Sequence, residues 1–342
     1  MEPWQDNFWR DAEAPLFMLA PMEDVTDTAF RELVLRMSAP GRLHVLFTEF
    51  ASTDGLYHER GRENVRQRLE VSAGERRLLK EKGVRLVAQL WGSRPEHFAA
   101  AVRLLGGAFD GIDINMGCPV RKIVAQGGCS ALIDNEPLAG EIIRAVRETS
   151  SLPLSVKTRL GGRMPETERW IGFLLRQPLD AIILHGRTRK QMSEGLADWN
   201  EIGRAARLRD QVAPAIRLIG NGDVGSLAEG AEKAARHGLD GVMIGRGIFR
   251  NPWLFEPDRE APAPRERIDT LLRHLDLFQR QWGDRKHFLI LRRFFKIYLS
   301  GFDGAAGLRQ QMMQAESYEE ARTVVAGLEA GGSVPGLEGG KD

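Results

Sequence analysis

Eight short runs rich in aliphatic and β-branched residues recur between Leu16 and Ile244, and segments of helical period lie between most of them. The runs occupy residues 16–20, 44–48, 84–90, 111–115, 154–157, 181–184, 216–219 and 242–244, each the length of a buried strand. Helical spacing of apolar residues fills 29–37, 96–105, 138–148, 166–175, 201–208 and 227–237. Ser93 with Glu96 and Ser226 with Glu229 have the spacing of capping boxes, and Pro137 suits the first turn of its helix. Eight strand–helix units in succession point to a (β/α)8 TIM barrel, an α/β fold, over an open doubly wound sheet. The Arg- and Glu-rich stretch between the second and third strands shows no period that places its helices.

After residue 256 the barrel pattern stops. Residues 257–264 hold Pro257, Pro262 and Pro264 among charges, the composition of a stiff linker. A small helical domain over 265–330 follows, and 331–342 reads as a flexible tail. Between 259 and 300, ten Lys and Arg stand against five Asp and Glu, in a chain whose net charge is only +1. At about 100° per residue, a helix over 285–299 gathers Arg285, Arg292 and Lys296 near one line with Lys286 and Arg293 beside it, opposite Phe288, Leu291, Phe294, Phe295 and Tyr298. Such a stripe suits a polyanionic partner.

The remaining composition removes whole classes of function. With 42% hydrophobic and 28% charged residues, and no apolar run near the roughly 18 residues of a membrane span, the chain reads as globular and off the membrane. The start of the chain carries Glu2, Asp6, Asp11 and Glu13 against Arg10, unlike the basic opening of a secretion signal, so a cytoplasmic protein is expected. Two cysteines, Cys118 and Cys129, are too few for a disulfide framework or a four-cysteine metal site, and no metal is expected.

Barrel enzymes carry their chemistry at the carboxyl ends of the strands. There this chain has Pro21 and Met22, Thr48 and Glu49, Gln89, Asn115 to Pro119, Lys157 and Arg159, His185 and Arg187, Gly220 to Asp223, and Gly245 to Gly247. Gln89 or His185 alone reads as a satisfied structural residue, but one polar or small contribution per strand reads as a site. Gly220, Gly222, Gly245 and Gly247 let backbone N–H groups approach a ligand in the two loops that bind phosphate in many barrels, and Arg246 adds a cation. A cofactor with one terminal phosphate is expected, because no G-x-G-x-x-G dinucleotide fingerprint follows the first strand.

The strings LAPMEDVTD (19–27), FTEF (47–50), VAQLWG (87–92), DINMGCP (113–119), SVKTRLG (155–161), HGRT (185–188), IGNGD (219–223) and MIGRGIFRNPWLF (243–255) resemble, in order, the tRNA-dihydrouridine synthases. KHFLILRRFFKIYLSG (286–301), LRQQM (308–312) and SYEEA (317–321) resemble that family's C-terminal RNA-binding helices, so the likeness covers roughly residues 16–325. It implies an FMN enzyme that reduces the C5–C6 double bond of particular uridines in tRNA, with NADPH as reductant and tRNA as partner; a monomer is expected. It also implies Ala20, Pro21 and Met22 beside the flavin ring and Gln89, Lys157 and His185 on its polar parts, with Asn221, Gly222, Asp223, Gly245 and Arg246 on its phosphate side. Asn115 and Arg187 are then expected to hold the target base or the flavin, and Arg285, Arg292, Arg293 and Lys296 to meet tRNA phosphates.

Cys118 falls on the family's catalytic acid. Reducing the uracil double bond needs a hydride at one carbon and a proton at the other, and a thiol of ordinary pKa, about 8.5, is mostly protonated at neutral pH. Cys129 stands where the family usually has glycine, and the expectation for a free buried cysteine is an inert packing residue. Two rival readings leave part of the chain without a use. An FMN barrel acting on a free pyrimidine, like dihydroorotate dehydrogenase, does not need the basic helical tail, and a flavin-less RNA-binding barrel does not need Cys118, Lys157 or the glycine turns.

Overall fold

The computed structural model describes residues 7–257, 259 and 261–331, of which 328–331 by backbone alone. Its parallel strands are β1 Leu16–Leu19, β2 Val45–Phe47, β3 Ala51–Ser52, β4 Arg85–Trp91, β5 Gly111–Met116, β6 Leu154–Arg159, β7 Ala181–His185, β8 Arg217–Asn221 and β9 Gly241–Ile244. Neighbours run β2-β1-β9-β8-β7-β6-β5-β4-β3, and β2 also pairs β4, which closes the sheet into a barrel. β2 and β3 are two halves of one stave, with Val45 opposite Arg85 and Ala51 opposite Leu90. At the break between them the Thr48 hydroxyl accepts the Gln89 N–H at 3.1 Å, replacing a ladder bond, and Glu49 turns into the protein interior.

Every second residue of a strand points inward. Leu16, Met18, Val45, Phe47, Val87, Ala181, Ile183, Ile219 and Met243 fill the lower interior, and Phe8 and Trp9 of the short helix Phe8–Asp11 pack against them. Arg217, at the start of β8, holds the Trp9 carbonyl at 2.7 Å, which fixes this plug at the amino-terminal end. Leu19, Leu46, Ala88, Ile112, Val156, Ile182, Leu218 and Val242 have the opposite parity and pack outward against the helices. Toward the other end of the staves the inward positions become Gln89, Asp113, Asn115, Ser155, Lys157, Arg159, His185 and Asn221. The polar layer thus sits on an apolar floor.

Around the barrel, helices run over Thr28–Met37, Pro95–Leu105, Glu136–Thr149, Trp199–Val212 and Leu227–His237. Ser226 caps the last of these, accepting from Glu229 N at 3.1 Å, while the Glu229 carboxylate takes the Gly225 N–H at 2.8 Å. Ser93 caps nothing. Arg94 precedes its helix and offers no side-chain bond, so Pro95, with no N–H to satisfy, opens the turn. The helix expected over 166–175 is a π-helical turn, Thr167–Ile171, followed by the short helix Gly172–Leu175. The unassigned stretch forms Thr53–Tyr57, Glu59–Arg66 and Ala73–Lys82; Glu59–Arg66 buries no residue, so it has no apolar period to read.

The C-terminal helices are Pro264–Trp282, Arg292–Tyr298, Ala305–Met312 and Tyr318–Gly331. Pro264 therefore belongs to a helix and not to the linker, while residues 258, 260 and 332–342 lie outside the described residues. The single helix expected over 285–299 is instead two 3-10 turns, Gly283–Arg285 and Phe288–Leu291, leading into Arg292–Tyr298. Gly283, at φ +48°, ends the preceding helix and so moves Arg285 and Lys286 off the proposed stripe. Phe288, Leu291, Phe294, Phe295 and Tyr298 are nonetheless buried as the pattern required. Trp282 Nε1 donates to Asp27 Oδ2 at 2.7 Å, and Phe294 lies 5.2 Å from Phe30, which docks these helices on Thr28–Met37. Among the described residues no helix is long and apolar enough to cross a membrane.

Candidate active site

The polar layer is a connected network. Asp113, fully buried on β5, accepts from Gln89 Nε2 at 2.7 Å and from Ser155 Oγ at 2.6 Å, and burial raises its pKa to about 6. Gln89 Oε1 accepts from Asn115 Nδ2 at 3.0 Å. Lys157 Nζ, half-buried, donates to Asn221 Oδ1 at 3.2 Å, and Asn221 Nδ2 donates to the Met243 carbonyl at 2.8 Å. Burial and the neighbouring Arg159 lower Lys157 to about 8, so it is still a cation at pH 7. His185 is held neutral by burial and by the charges of Lys157, Arg159, Arg187 and Arg246. Arg187 lies 3.1 Å from His185 Nε2 and can only donate, so Nε2 accepts and the ring proton is on Nδ1.

Cys118, half-buried, stands in the turn that follows β5. Its N–H and that of Gly117 both donate to Asn115 Oδ1, each at 3.0 Å, and its carbonyl accepts from Ser130 Oγ at 2.8 Å. Arg159, buried, reaches from the Gly117 carbonyl at 2.6 Å to those of Thr188 at 3.1 Å and Met192 at 2.7 Å, stapling this turn to the loop after β7. A hydrogen bond from the Cys129 thiol, opposed by burial, lowers the Cys118 thiol to about 7. A pKa near the working pH suits an acid that must release and regain a proton. Cys129 is fully buried, and its φ of +51° is the left-handed conformation that glycine adopts without strain. Its free thiol lies beside that of Cys118, and burial first, with the Cys118 thiol second, drives it well above its ordinary pKa.

The glycine loops divide in two. Gly222 has φ +130°, and a Cβ there would lie 2.6 Å from Ala197 and 3.2 Å from His185, so only glycine fits. Among the described residues, the N–H groups of Gly222 and Asp223 donate to no backbone acceptor. Gly245 faces open space, with Ala20 Cβ nearest at 3.6 Å, and Arg246 beside it is 62% exposed. Gly220 and Gly247 are glycine for packing: a Cβ on Gly220 would strike Trp199 at 2.6 Å, and one on Gly247 would strike the Val224 carbonyl. Burial disfavours the Asp223 charge, but Arg187 at 2.5 Å and Ala197 N–H at 2.8 Å outweigh it and keep the pKa low. Free backbone N–H groups and the exposed guanidinium of Arg246, which also reaches Asp223 Oδ1 at 3.3 Å, form a donor set that fits a phosphate monoester. Across the mouth, Ala20 is buried and continues β1, bonded to the Ile244 carbonyl at 2.8 Å, while Pro21 and Met22 form a half-buried rim.

Arg187 clamps the loop after β7. It is 2% exposed, and its donors go to the Glu194 and Gly195 carbonyls, His185 and Asp223. The tail's cations also have partners: Arg285 pairs with Glu70 at 2.6 Å, Arg293 with Asp24 at 3.6 Å, and Lys286 with Glu49 at 3.4 Å and Asp27 at 3.5 Å. Arg292 donates to the Ala315 carbonyl at 3.0 Å, and Lys296 is exposed with no ion pair among the described residues. Arg94, Arg121, Lys122, Arg163 and Lys190 are exposed in the segments that follow β4, β5, β6 and β7, likewise with no ion pair among the described residues. Asp113 is a member of the site that the strand-end pattern misses, although it stands two residues before Asn115 and so shares its inward face.

A family model for dihydrouridine synthase (Dus) matches residues 18–330. A protein of Staphylococcus aureus named probable tRNA-dihydrouridine synthase is 42% identical over 329 residues, covering 95% of this chain and 97% of its own length. A Bacillus subtilis protein named probable tRNA-dihydrouridine synthase 2 is 41% identical over 327 residues, with the same coverage of both chains. Among solved structures, a 2-naphthoyl-CoA reductase complex aligns with a TM-score of 0.53 at 11% identity, over 70% of this chain and 49% of that one, a likeness of fold alone.

Proposed function

The chain belongs to the dihydrouridine synthase family, and on that footing we propose that it is a flavin-dependent oxidoreductase that reduces the C5–C6 double bond of particular uridines in tRNA. FMN is the proposed flavin and NADPH the proposed reductant, in a monomeric cytoplasmic protein. The observation that carries the reading is the Cys118 turn, which sets a thiol of pKa about 7 beside the inward polar layer of Gln89, Asn115, Lys157 and His185. The free N–H groups of Gly222 and Asp223 with Arg246 would hold the FMN phosphate; Ala20, Pro21, Met22, Gln89, Lys157, His185 and Asn221 would line its ring and chain. Bound there, FMN supplies the hydride for one carbon of the double bond.

The remaining work falls to side chains. Cys118 Sγ holds a proton and passes it to C5, becoming a thiolate that the Cys129 S–H stabilises until solvent restores the proton. Lys157 keeps an ammonium in a partly desolvated place, where a fixed positive charge favours an anionic ligand or product. His185 offers its Nδ1–H as a neutral donor. Asn115 has one Nδ2 hydrogen left after bonding Gln89, available to a base carbonyl. For the RNA, Arg94, Arg121, Lys122, Arg163 and Lys190, with Lys296 from the tail, offer cations free to meet phosphates. The test is mass spectrometry of tRNA from cells lacking this protein, before and after incubation with the purified enzyme and NADPH. New dihydrouridine is expected, together with FMN released on heating and its loss from Gly222→Val. Unchanged tRNA, or turnover of free pyrimidine in its place, would overturn the reading.

A further inference from the structure

From the hydrogen-bond order in the barrel interior, we infer that Asp113 is a positioning residue for the Cys118 turn, acting through Gln89 and Asn115. The inference rests on the reading of Cys118 as the proton donor, but its physical content is independent of turnover. Two backbone N–H groups, those of Gly117 and Cys118, converge on one side-chain oxygen of Asn115 at 3.0 Å each. Since an N–H can only donate, that atom is Oδ1, and Asn115 must turn its Nδ2 the other way. Nδ2 there meets Gln89 at 3.0 Å, so Gln89 has to present Oε1 and point its own Nε2 onward. The onward partner, 2.7 Å away, is Asp113 Oδ2, which must accept.

Every amide in the series therefore has its orientation fixed by the next, from a buried acceptor on β5 through β4 and back to the turn after β5. Ser155 Oγ, at 2.6 Å from Asp113 Oδ1, holds the acceptor in place from β6. Asp113, Gln89 and Ser155 are each fully buried and Asn115 is 7% exposed, so water is poorly placed to substitute for a missing member. A reversed amide in such a series leaves donor facing donor, and the neighbouring groups give way. What Asp113 contributes is acceptance of a hydrogen bond from Gln89. An asparagine at 113 supplies the same acceptance if it turns its nitrogen toward the Ser155 hydroxyl, which can accept in its turn. A leucine supplies none.

The experiment is hydrogen–deuterium exchange on the protein as purified, resolved to the Gly117 and Cys118 amides. In Asp113→Leu these two amides should lose at least tenfold in protection, and Gln89→Leu should do the same with Asp113 intact. The double variant should be no worse than either single one, because both interrupt one series. Asp113→Asn should keep wild-type protection at both amides. Amides of β8 and β9 serve as the internal reference, so that a general loosening of the fold is subtracted. Wild-type protection in Asp113→Leu, additive losses in the double variant, or equal losses in Asp113→Asn and Asp113→Leu would each overturn the inference. Full activity in Cys118→Ala would remove the acid assignment and leave the positioning result standing.

Discussion

The barrel mouth and the C-terminal helices are both rich in cations, and they divide them differently between docking and solvent. At the mouth, Lys157 and Arg159 are set inward on a polar layer, while Arg121, Lys122, Arg163 and Lys190 face solvent without an ion pair among the described residues. In the tail, Arg285, Lys286 and Arg293 fold back on Glu70, Glu49, Asp27 and Asp24 of the barrel. Local excess charge in a sequence thus says little about what a cation meets. Three of the tail's cations are docking groups, Arg273, Arg280 and Lys296 stay exposed without an ion pair among the described residues, and the loops of a nearly neutral barrel carry further free positive charge.

The largest expected break between the two regions is kinetic. Cys118→Ala should slow reoxidation of the reduced flavin by tRNA by about 10²–10⁴-fold in single-turnover stopped flow, with flavin content unchanged. Arg285→Ala should leave that step alone; a comparable slowing would mean that the tail contributes to the chemistry. Next comes pH. With the thiol at about 7, the proton-donating form is lost as pH rises through that value, so the same rate should fall severalfold between pH 7 and 8. Cys129→Ala removes the bond that lowers this pKa, so it should stay active and move the fall to higher pH. A pH profile identical to wild type would dismiss the thiol pair.

A smaller effect tests the docking. Lys286→Met leaves Glu49, 1% exposed, with only Arg68 as cationic partner at 3.2 Å, and should cost about 2 kcal/mol in urea unfolding. Glu49→Gln in the same chain should recover most of it; no recovery would mean that Lys286 acts through Asp27, 3.5 Å away, or through packing on Trp282, 3.9 Å from its ammonium, instead. The smallest effect is on salt dependence. Arg121→Ala with Lys122→Ala should flatten the logarithmic salt dependence of tRNA binding by about one to two, and Arg285→Ala with Arg293→Ala by less. A reversed order would restore the tail as the principal phosphate surface.

Much of this is legible in the sequence. Strand positions follow from the apolar runs, and the residues of the mouth from what stands at their ends, because an inward-facing stave has room for few residue types. The limits were equally physical. Glu59–Arg66 buries nothing and so left no period to read. The 285–299 segment kept its apolar face but not its helix, since a periodicity sum takes no account of where one turn type gives way to another. Gly220 and Gly222 look alike in IGNGD, yet one makes room for Trp199 and the other takes a φ of +130° against Ala197 and His185. Arg187 reads as a binding residue because its chemistry allows it; only three dimensions show that four of its five N–H groups already hold the Glu194 and Gly195 carbonyls, His185 and Asp223.

The plug of Phe8 and Trp9 has a consequence for the order of events in the cell. A barrel stoppered at one end is a cup with a single opening, and the inward polar layer lies just below its rim. Under the proposed function, a dinucleotide reductant and a folded RNA would share that one opening. Electrons would then be delivered and stored before the RNA arrives, so that the two substrates alternate at one doorway. Steady-state velocities should give parallel double-reciprocal lines, and each substrate in excess should hinder the other.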